Sequence, residues 1–327
     1  MVLRLAFATI AALVSLASAH GGVGVYTMEG KEYDGWQPYN SADGQVSIER
    51  QYPGYNPLLL ADLTTVNLRC NNPGLTGTGV SATVKAGDTI LAHWTQWTHR
   101  PASVLVYLAK CPAAGCNSWD GSGTVWFKID QAGLISGTQN AGIWAGDQIT
   151  DTLNWTTTVP ASLTPGEYLI RHELIAVHQA NNPQLYPECA QLIVTGAGTA
   201  SPDSSYLVAF PGAYSASDPG LDFNIDSPSA MTATTYTIPG PSVWPGSGAG
   251  NGGAGTGGTG GAASSAAHTT LATAVKSSSA AAVASSAAAC AAVVKFGQCG
   301  GSTYSGCTIC ASGSTCTKSS DFYSQCL

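Results

Sequence analysis

Short alternating runs of apolar and polar residues recur through the first 240 positions, separated by clusters of Gly, Pro, Asp and Asn. One pair of runs flanks the turn-forming residues 86–88 (AGD), and apolar strands are predicted at residues 103–108 and 191–195. A longer strand is predicted at residues 167–178, after the turn sequence Thr-Pro-Gly at 164–166. Many short strands with turn signals between them are typical of two packed antiparallel sheets. We therefore predict an all-β fold, an immunoglobulin-like β-sandwich, without a helix of substantial length.

The chain opens on a different pattern, a single apolar run over residues 5–17 that follows Arg4. This run is too short to cross a bilayer, and residues 17–19 (ASA) form a small-residue cleavage signature. We therefore predict a signal peptide over residues 1–19, which makes His20 the first residue of the secreted protein. An amino-terminal histidine offers two metal-binding nitrogens, its α-amine and its imidazole, and both can chelate one ion.

Composition divides the remainder of the chain into three regions. Residues 20–244 have full sequence complexity and contain all eight tryptophans, as expected of a folded domain. Residues 245–289 consist almost entirely of Gly, Ala, Ser and Thr, which cannot bury a core and therefore predict a flexible linker. Residues 290–327 hold six cysteines in 38 positions, and we expect disulfides to staple a module this small.

Charge and cysteine content narrow the class of protein further. Between His20 and residue 226, eighteen acidic side chains stand against eight Lys and Arg, which leaves a net charge of −10. This acidity disfavours nucleic acid and anionic membranes as partners and is compatible with a neutral polymer as substrate. Ten cysteines behind a signal peptide indicate an oxidising compartment. We expect a secreted, extracellular, monomeric protein without a membrane anchor.

Histidine supplies the candidate ligands for a metal ion. Two imidazoles and one amine form a tetragonal donor set with an open position, which is the geometry that Cu(II) prefers. His99 is the best partner for His20, because it stands at a loop end just before the predicted strand at 103–108. The pattern therefore favours a copper site built from the amino terminus and one distant loop.

Three further histidines are weaker candidates. His93 alternates with Trp94 inside a predicted strand, so we expect it to be packed or to support a metal ligand indirectly. His172 and His178 are six residues apart in the strand predicted at 167–178, which places them on one face. On sequence alone, a structural role is favoured over metal ligation for all three.

Two other residues carry predictions of their own. Tyr186 lies in a segment that a disulfide at Cys189 would hold in place, so its hydroxyl oxygen is a candidate weak axial ligand. An ordinary buried tyrosine is the competing interpretation of Tyr186. Asn154 begins the sequon Asn-Trp-Thr and is the predicted N-glycosylation site.

These residues lie within motifs of one known family. The motifs are the start of the chain from His20 to residue 71, the run HRPASVLVYLAKC at 99–111, GEYLIRHE at 166–173, and QLYPEC at 184–189. By these motifs, essentially the whole first region resembles the fungal cellulose-active lytic polysaccharide monooxygenases of auxiliary activity family nine. The resemblance implies a β-sandwich and a copper centre.

The resemblance also implies a role for each candidate residue. His20 and His99 would form the copper-binding histidine brace, and Tyr186 would take the axial position. His178 and Gln184 would provide hydrogen bonds near the site at which the oxygen co-substrate reacts. The roles of these five residues are therefore expectations that follow from the family motifs.

The activity that the resemblance implies is oxidative. An external electron donor reduces the copper, O2 or H2O2 serves as co-substrate, and hydroxylation at C1 and/or C4 breaks β-1,4-glucan chains such as cellulose. Many family members carry Gly at the position of Arg100, so this chain places a cation beside His99. We expect that cation to leave the ligand itself in place.

The last region resembles a fungal family 1 carbohydrate-binding module. The resemblance rests on FGQCGG at 296–301 and FYSQCL at 322–327. It implies an aromatic platform that stacks on the flat faces of cellulose, with Gln325 hydrogen-bonded to a sugar hydroxyl. The implied platform residues are Phe296, Tyr304, Phe322 and Tyr323.

The two resemblances together imply how all ten cysteines pair. Each bond is expected to stabilise the fold by about 2–4 kcal/mol. The expected pairs are Cys70–Cys189 and Cys111–Cys116 in the large domain, and Cys299–Cys316, Cys310–Cys326 and Cys290–Cys307 in the module.

Two other classes of function remain open on the sequence. A secreted glycoside hydrolase acting on cellulose would need a pair of carboxylates about 5–10 Å apart, for which Glu167, Glu173 and Glu188 are candidates. A non-catalytic copper-binding or cell-wall protein would bind the metal tightly and release no oxidised sugar. The reaction products distinguish these classes.

Overall fold

A computed structural model of the chain describes residues 20–72, 74–75, 77–246, 293, 298–300, 307–318 and 324–326. These residues fall into two compact units, one within residues 1–261 and one within residues 262–327. The predicted signal peptide and nearly all of the predicted linker lie outside the described residues.

The larger unit is built from two sheets and a small hairpin. The first sheet has the strand order β2-β1-β4-β9, the second has the order β3-β11-β10-β5-β6, and β7 pairs with β8. This arrangement confirms the predicted β-sandwich. The strands are β1 (Val23–Met28), β2 (Lys31–Asp34), β3 (Ala82–Lys85), β4 (Thr89–Trp94), β5 (Ala102–Lys110), β6 (Trp126–Ala132), β7 (Leu134–Ser136), β8 (Ile143–Trp144), β9 (Asn154–Thr158), β10 (Gly166–Ala176) and β11 (Gln184–Thr195).

The second sheet is covered on both faces, which explains the continuous apolar run in β5. The even-numbered residues from Val104 to Leu108 belong to the core between the two sheets. The odd-numbered residues from Leu105 to Ala109 belong to a second core, shared with Phe210 on the segment that follows β11. A strand buried on both faces loses the apolar–polar alternation of a half-exposed strand.

The turn at residues 86–88 connects the two sheets. β3 pairs in parallel with the end of β11 in the second sheet, whereas β4 pairs with β1 and β9 in the first. The strands that the alternating pattern predicts on either side of this turn are therefore confirmed, and the turn carries the chain from one layer to the other.

Three short helical segments interrupt the β structure, and the sequence pattern predicted none of them. They are a 3-10 helix at Leu60–Thr64, α1 at Asn67–Cys70 and α2 at Ala145–Thr152. In α2, the carboxylate of Asp147 accepts a 2.7 Å hydrogen bond from the Trp144 amide and so caps the first turn. None of the helices among the described residues has the length and apolar character of a membrane span.

Two disulfides tie loops and helices to the second sheet. Cys70 at the end of α1 is bonded to Cys189 on β11, and Cys111 is bonded to Cys116 in the loop after β5. The first bond closes a sequence separation of 119 residues and holds α1 against the strand that also carries Tyr186.

The smaller unit contains a three-stranded antiparallel sheet with β14 in the centre, and Cys299 is bonded to Cys316. Cys307 and Cys310 are also disulfide-bonded. Phe296, Tyr304, Phe322, Tyr323 and Cys290 lie outside the described residues, as do the side chains of Gln325 and Cys326. The strands are β12 (Gln298–Gly300), β13 (Cys316–Lys318) and β14 (Ser324–Cys326).

Candidate metal centre

Strand pairing brings the five candidate residues to one end of the sandwich. His20 lies three residues before the start of β1, which pairs with the end of β4, and His99 lies in the loop that leaves β4 for β5. β10 runs antiparallel to both β5 and β11, so its end meets the starts of those strands. His178 follows that end, and Gln184 and Tyr186 lie at the start of β11.

The rings of His20, His99 and Tyr186 lie close together at this end of the sandwich. The ring centroids of His20 and His99 are 4.9 Å apart. The Tyr186 ring lies 5.8 Å from the first and 5.9 Å from the second, with an interplanar angle of 27° to each. Nε2 of His99 is buried and has no hydrogen-bond partner. Two imidazoles, of which that of His99 carries this buried nitrogen, are a donor set that suits copper.

His178 and Gln184 lie beside this arrangement. The His178 ring stacks on His99 with a centroid distance of 4.5 Å and an interplanar angle of 8°, and its Nδ1 is buried without a partner. The Tyr186 hydroxyl donates a 2.7 Å hydrogen bond to Oε1 of Gln184. Both residues therefore contact a candidate ligand and can fix its orientation.

Trp97 completes the packing around the centre, and sequence reasoning missed it. It is buried, and its ring meets those of His99 and Tyr186 edge-on at 5.2 and 5.0 Å. The available signal was an aromatic residue two positions before the candidate ligand. Edge-to-face contacts of this kind restrict how either ring can rotate.

Burial keeps the candidate ligands neutral. Burial, together with the smaller effects of the neighbouring His178 and His20, lowers the pKa of His99 to about 4. Burial also lowers the pKa of His20 and of His178 below the ordinary imidazole value. The pKa of the Tyr186 hydroxyl is raised by burial, so this residue is a neutral phenol. Neutral imidazoles can ligate a metal without first losing a proton.

His172 and His178 do not share a strand face, contrary to the prediction. β10 ends at Ala176, where its pairing with both β5 and β11 stops, and the Val177 amide bonds instead to the Pro101 carbonyl. His178 therefore lies in the loop at the metal centre. His172 is buried between the sheets against Tyr26 and Trp94, away from the candidate ligands.

His93 is also remote from the centre and has a structural partner. It is half-buried on β4, and its Nδ1 lies 2.7 Å from Oδ1 of Asn154, the first residue of β9. The predicted glycan attaches through the amide nitrogen of Asn154, which is not the atom in this contact. Glycosylation of Asn154 stays a prediction.

We expect His172→Leu to remove part of the acid sensitivity of the fold. Burial lowers the pKa of His172 to about 3, and neither ring nitrogen has a hydrogen-bond partner. As the pH falls from about 6.5 towards 3, His172 binds a proton in the unfolded chain but not in the folded chain. This difference lowers the free energy of unfolding by roughly 1.4 kcal/mol per pH unit. Urea unfolding at pH 7 and pH 4 checks this. A loss of stability between these pH values that is equal in wild type and variant would contradict it.

Arg100 does not present a free positive charge beside His99. Its guanidinium forms ion pairs with Asp147, at 3.5 Å, and with Asp151, both on α2. The cation is therefore balanced by two carboxylates, and the contact joins the loop carrying the candidate ligand to the helix.

Two protein-family profiles match the chain. The sequence profile of Auxiliary Activity family 9 (formerly GH61) matches residues 20–236. The profile of the fungal cellulose binding domain matches residues 295–323.

Two relatives match the chain in sequence, and a solved structure matches it in fold. The AA9 family lytic polysaccharide monooxygenase-like protein CEL1 of Agaricus bisporus is 47% identical over 312 residues, which cover 94% of this chain and 91% of the relative. The AA9 family lytic polysaccharide monooxygenase B of Heterobasidion irregulare is 49% identical over 232 residues, 70% of this chain and 93% of the relative. The crystal structure of a cellulose-active polysaccharide monooxygenase from M. thermophila, 44% identical, superposes with a TM-score of 0.62 over 69% of this chain and 99% of its own.

Proposed function

Because the chain belongs to Auxiliary Activity family 9 and is a lytic polysaccharide monooxygenase, we propose that it holds one copper ion and cleaves cellulose. In this proposal, His20 and His99 would bind the ion, and the Tyr186 hydroxyl would lie beside them as a further candidate ligand. The observation that carries the proposal is the buried Nε2 of His99, unpaired, on a ring 4.9 Å from that of His20.

Bound copper would supply the redox chemistry that hydroxylates C1 and/or C4 of a β-1,4-glucan, either with O2 and two electrons per turnover from an external donor or with H2O2 after a single reduction of the copper. The protein's own residues would hold the candidate ligands in place and position the groups around them. The Tyr186 hydroxyl keeps its proton and donates a hydrogen bond to Gln184, so its oxygen is a weak ligand at most, and Trp97 packs against its ring. His178 stacks on His99 and carries an unpaired Nδ1, which makes it the residue best placed to hold or pass a proton.

The proposal requires cleavage after Ala19, because only then does His20 contribute its α-amine. We propose that the protein is secreted, is cleaved at this bond and acts outside the cell as a monomer. The predicted domain limits, 20–244, 245–289 and 290–327, are part of the same proposal.

The carboxyl-terminal module is proposed to hold the enzyme on its substrate. The match to the fungal cellulose binding domain supports an insoluble, flat polysaccharide surface as the target. Phe296, Tyr304, Phe322 and Tyr323 would stack on sugar rings, and Gln325 would bond to a hydroxyl. Attachment to the surface raises the local concentration of the catalytic unit near glucan chains.

A hydrolytic mechanism has little support in the arrangement of acidic residues. Glu173 is buried in an ion pair with Arg171, and Glu188 is buried against the amide of Val23. Burial raises the pKa of Glu188 to about 7. Glu167 is exposed, and it accepts a 3.1 Å hydrogen bond from the amide of Cys116. None of the three forms the open carboxylate pair that glycoside hydrolysis requires.

Mass spectrometry of the products tests the proposed function. The copper-loaded secreted protein is incubated with swollen cellulose and ascorbate, with and without EDTA. We expect aldonic or C4-oxidised oligosaccharides that disappear with EDTA or without ascorbate. Unoxidised reducing ends that resist the chelator would indicate a hydrolase, and tight copper binding without any product would indicate a non-catalytic protein.

A further inference from the structure

The residues that follow His20 lie in a slot that admits only glycine. A methyl group on Gly21 would come within 2.3 Å of the backbone oxygen of Gln96. A methyl group on Gly22 would come within 2.2 Å of Oε1 of Glu188 and 2.5 Å of the Tyr52 hydroxyl. A Cβ atom does not approach non-bonded atoms this closely in proteins. The slot therefore accommodates the chain only because positions 21 and 22 have no side chains.

Glu188 forms one wall of the slot and bonds to the chain that runs through it. Its Oε2 accepts a 2.7 Å hydrogen bond from the Val23 amide, and its Oε1 accepts a 3.2 Å bond from the Tyr52 hydroxyl. The side chain is 3% exposed. It stands two residues after Tyr186 on β11, on the same face of the strand.

The opposite wall belongs to the loop that carries His99. The Thr95 amide donates a 2.8 Å hydrogen bond to the Gly22 carbonyl, and the Thr95 hydroxyl lies 3.3 Å from the same oxygen. Residues 21–23 are therefore hydrogen-bonded on one side to the loop that carries His99. On the other side they are hydrogen-bonded to β11, the strand that carries Tyr186.

A second buried acid supports Glu188 from behind. Glu49 is buried, and its carboxyl group lies next to that of Glu188. Its other contacts are a 2.8 Å bond from the Tyr26 hydroxyl and a 2.7 Å bond from the Trp36 amide. Because its neighbours hold it in place, Glu188 presents Oε2 to Val23 in a fixed direction.

We propose that Glu188 is a positioning residue that clamps the segment 21–23 and so fixes His20 opposite His99. The proposal rests on the proposed copper site and adds to it. Chain termini are usually poorly ordered, yet a metal ligand must be held to within about 0.5 Å of its working position. Glu188 supplies that order from the strand that carries Tyr186.

Two measurements on one set of variants test the clamp. The set is wild type, Glu188→Ala, Glu188→Gln, Gly22→Ala and, as a control for general loss of packing, Val194→Ala at the buried far end of β11. Hydrogen exchange of the metal-free proteins measures order in residues 20–28. Titration calorimetry and electron paramagnetic resonance measure copper affinity and ligand geometry.

We expect Glu188→Ala and Gly22→Ala to speed exchange in residues 20–28 by at least about tenfold and to weaken copper binding by roughly tenfold. Their resonance spectra should shift, whereas Val194→Ala should match wild type in all three readouts. Glu188→Gln keeps an acceptor for Val23 and should recover most of the affinity. Gly22→Ala retains Glu188, so it tests the clamp by itself if Glu188→Ala does not fold.

Exchange and copper affinity that are unchanged in both Glu188→Ala and Gly22→Ala would overturn the clamp. Equal effects in Val194→Ala would overturn it as well, because they would show a general loss of packing. If the wild type binds no copper, the proposed copper site fails, and the exchange of the metal-free proteins alone decides for or against the clamp.

Discussion

His99→Ala is expected to weaken copper binding by roughly a hundredfold or more and to stop the release of oxidised sugars. Residues that only support a metal ligand account for about 10–100-fold in affinity, so loss of a direct ligand should cost at least as much. The buried, unpaired Nε2 of His99 is the nitrogen that this substitution removes. Titration calorimetry and mass spectrometry of the products measure the two effects.

His93→Ala is the matched control for that substitution. His93 is also half-buried near one end of β4, but its ring nitrogen contacts Asn154 and not the candidate ligands. Its copper affinity and products should equal those of wild type. A His99→Ala protein that retains wild-type affinity and still releases oxidised sugars would show that the metal, if any, is bound elsewhere.

Arg171→Met is expected to destabilise the fold by about 3–5 kcal/mol, because it strips the partner from a buried carboxylate. The guanidinium bonds to both oxygens of Glu173, at 2.7 and 2.8 Å, and both side chains are fully buried. It also donates to the carbonyls of Leu68 and Arg69, which holds α1 against β10. Chemical denaturation measures the free energy of unfolding.

Arg100→Met provides the comparison for an exposed ion pair. Arg100 pairs with Asp147 and Asp151 at the surface, and its side chain is 44% exposed. Exposed pairs contribute about 0–1 kcal/mol, so this variant should unfold within about 1 kcal/mol of wild type. Losses of similar size in the two methionine variants would contradict the role assigned to the buried pair.

Five strands (β3, β4, β5, β10 and β11) were predictable from local pattern, whereas their ends and partners were not. The run at 103–108 lies within β5, and the run at 191–195 is the end of β11. The strand predicted to reach His178 stops at Ala176, because its neighbours on both sides end there. Such limits depend on residues far away in the sequence. The eight residues of α2 are too few for helical periodicity to stand out.

The residues of the candidate site were likewise predictable only in part. His20 is predictable from the cleavage signature, His99 from its place before a predicted strand and Tyr186 from its place near Cys189. The family motifs gave roles to His178 and Gln184, and the fold brings all five to one end of the sandwich. The slot around residues 21–23 could not be predicted, because its walls come from β11 and from the loop after β4. Only the folded chain shows that Glu188 meets the amide of Val23.

Copper titration of two forms of the protein tests most directly whether a free amino-terminal His20 creates the metal site. One form begins at His20, and the other carries a single additional glycine before it. We expect one tightly bound Cu(II) per chain in the first form and binding weaker by roughly a hundredfold or more in the second, since the added residue removes the α-amine of His20 as a ligand. Equal affinity in the two forms would contradict a metal site built on the free amino terminus.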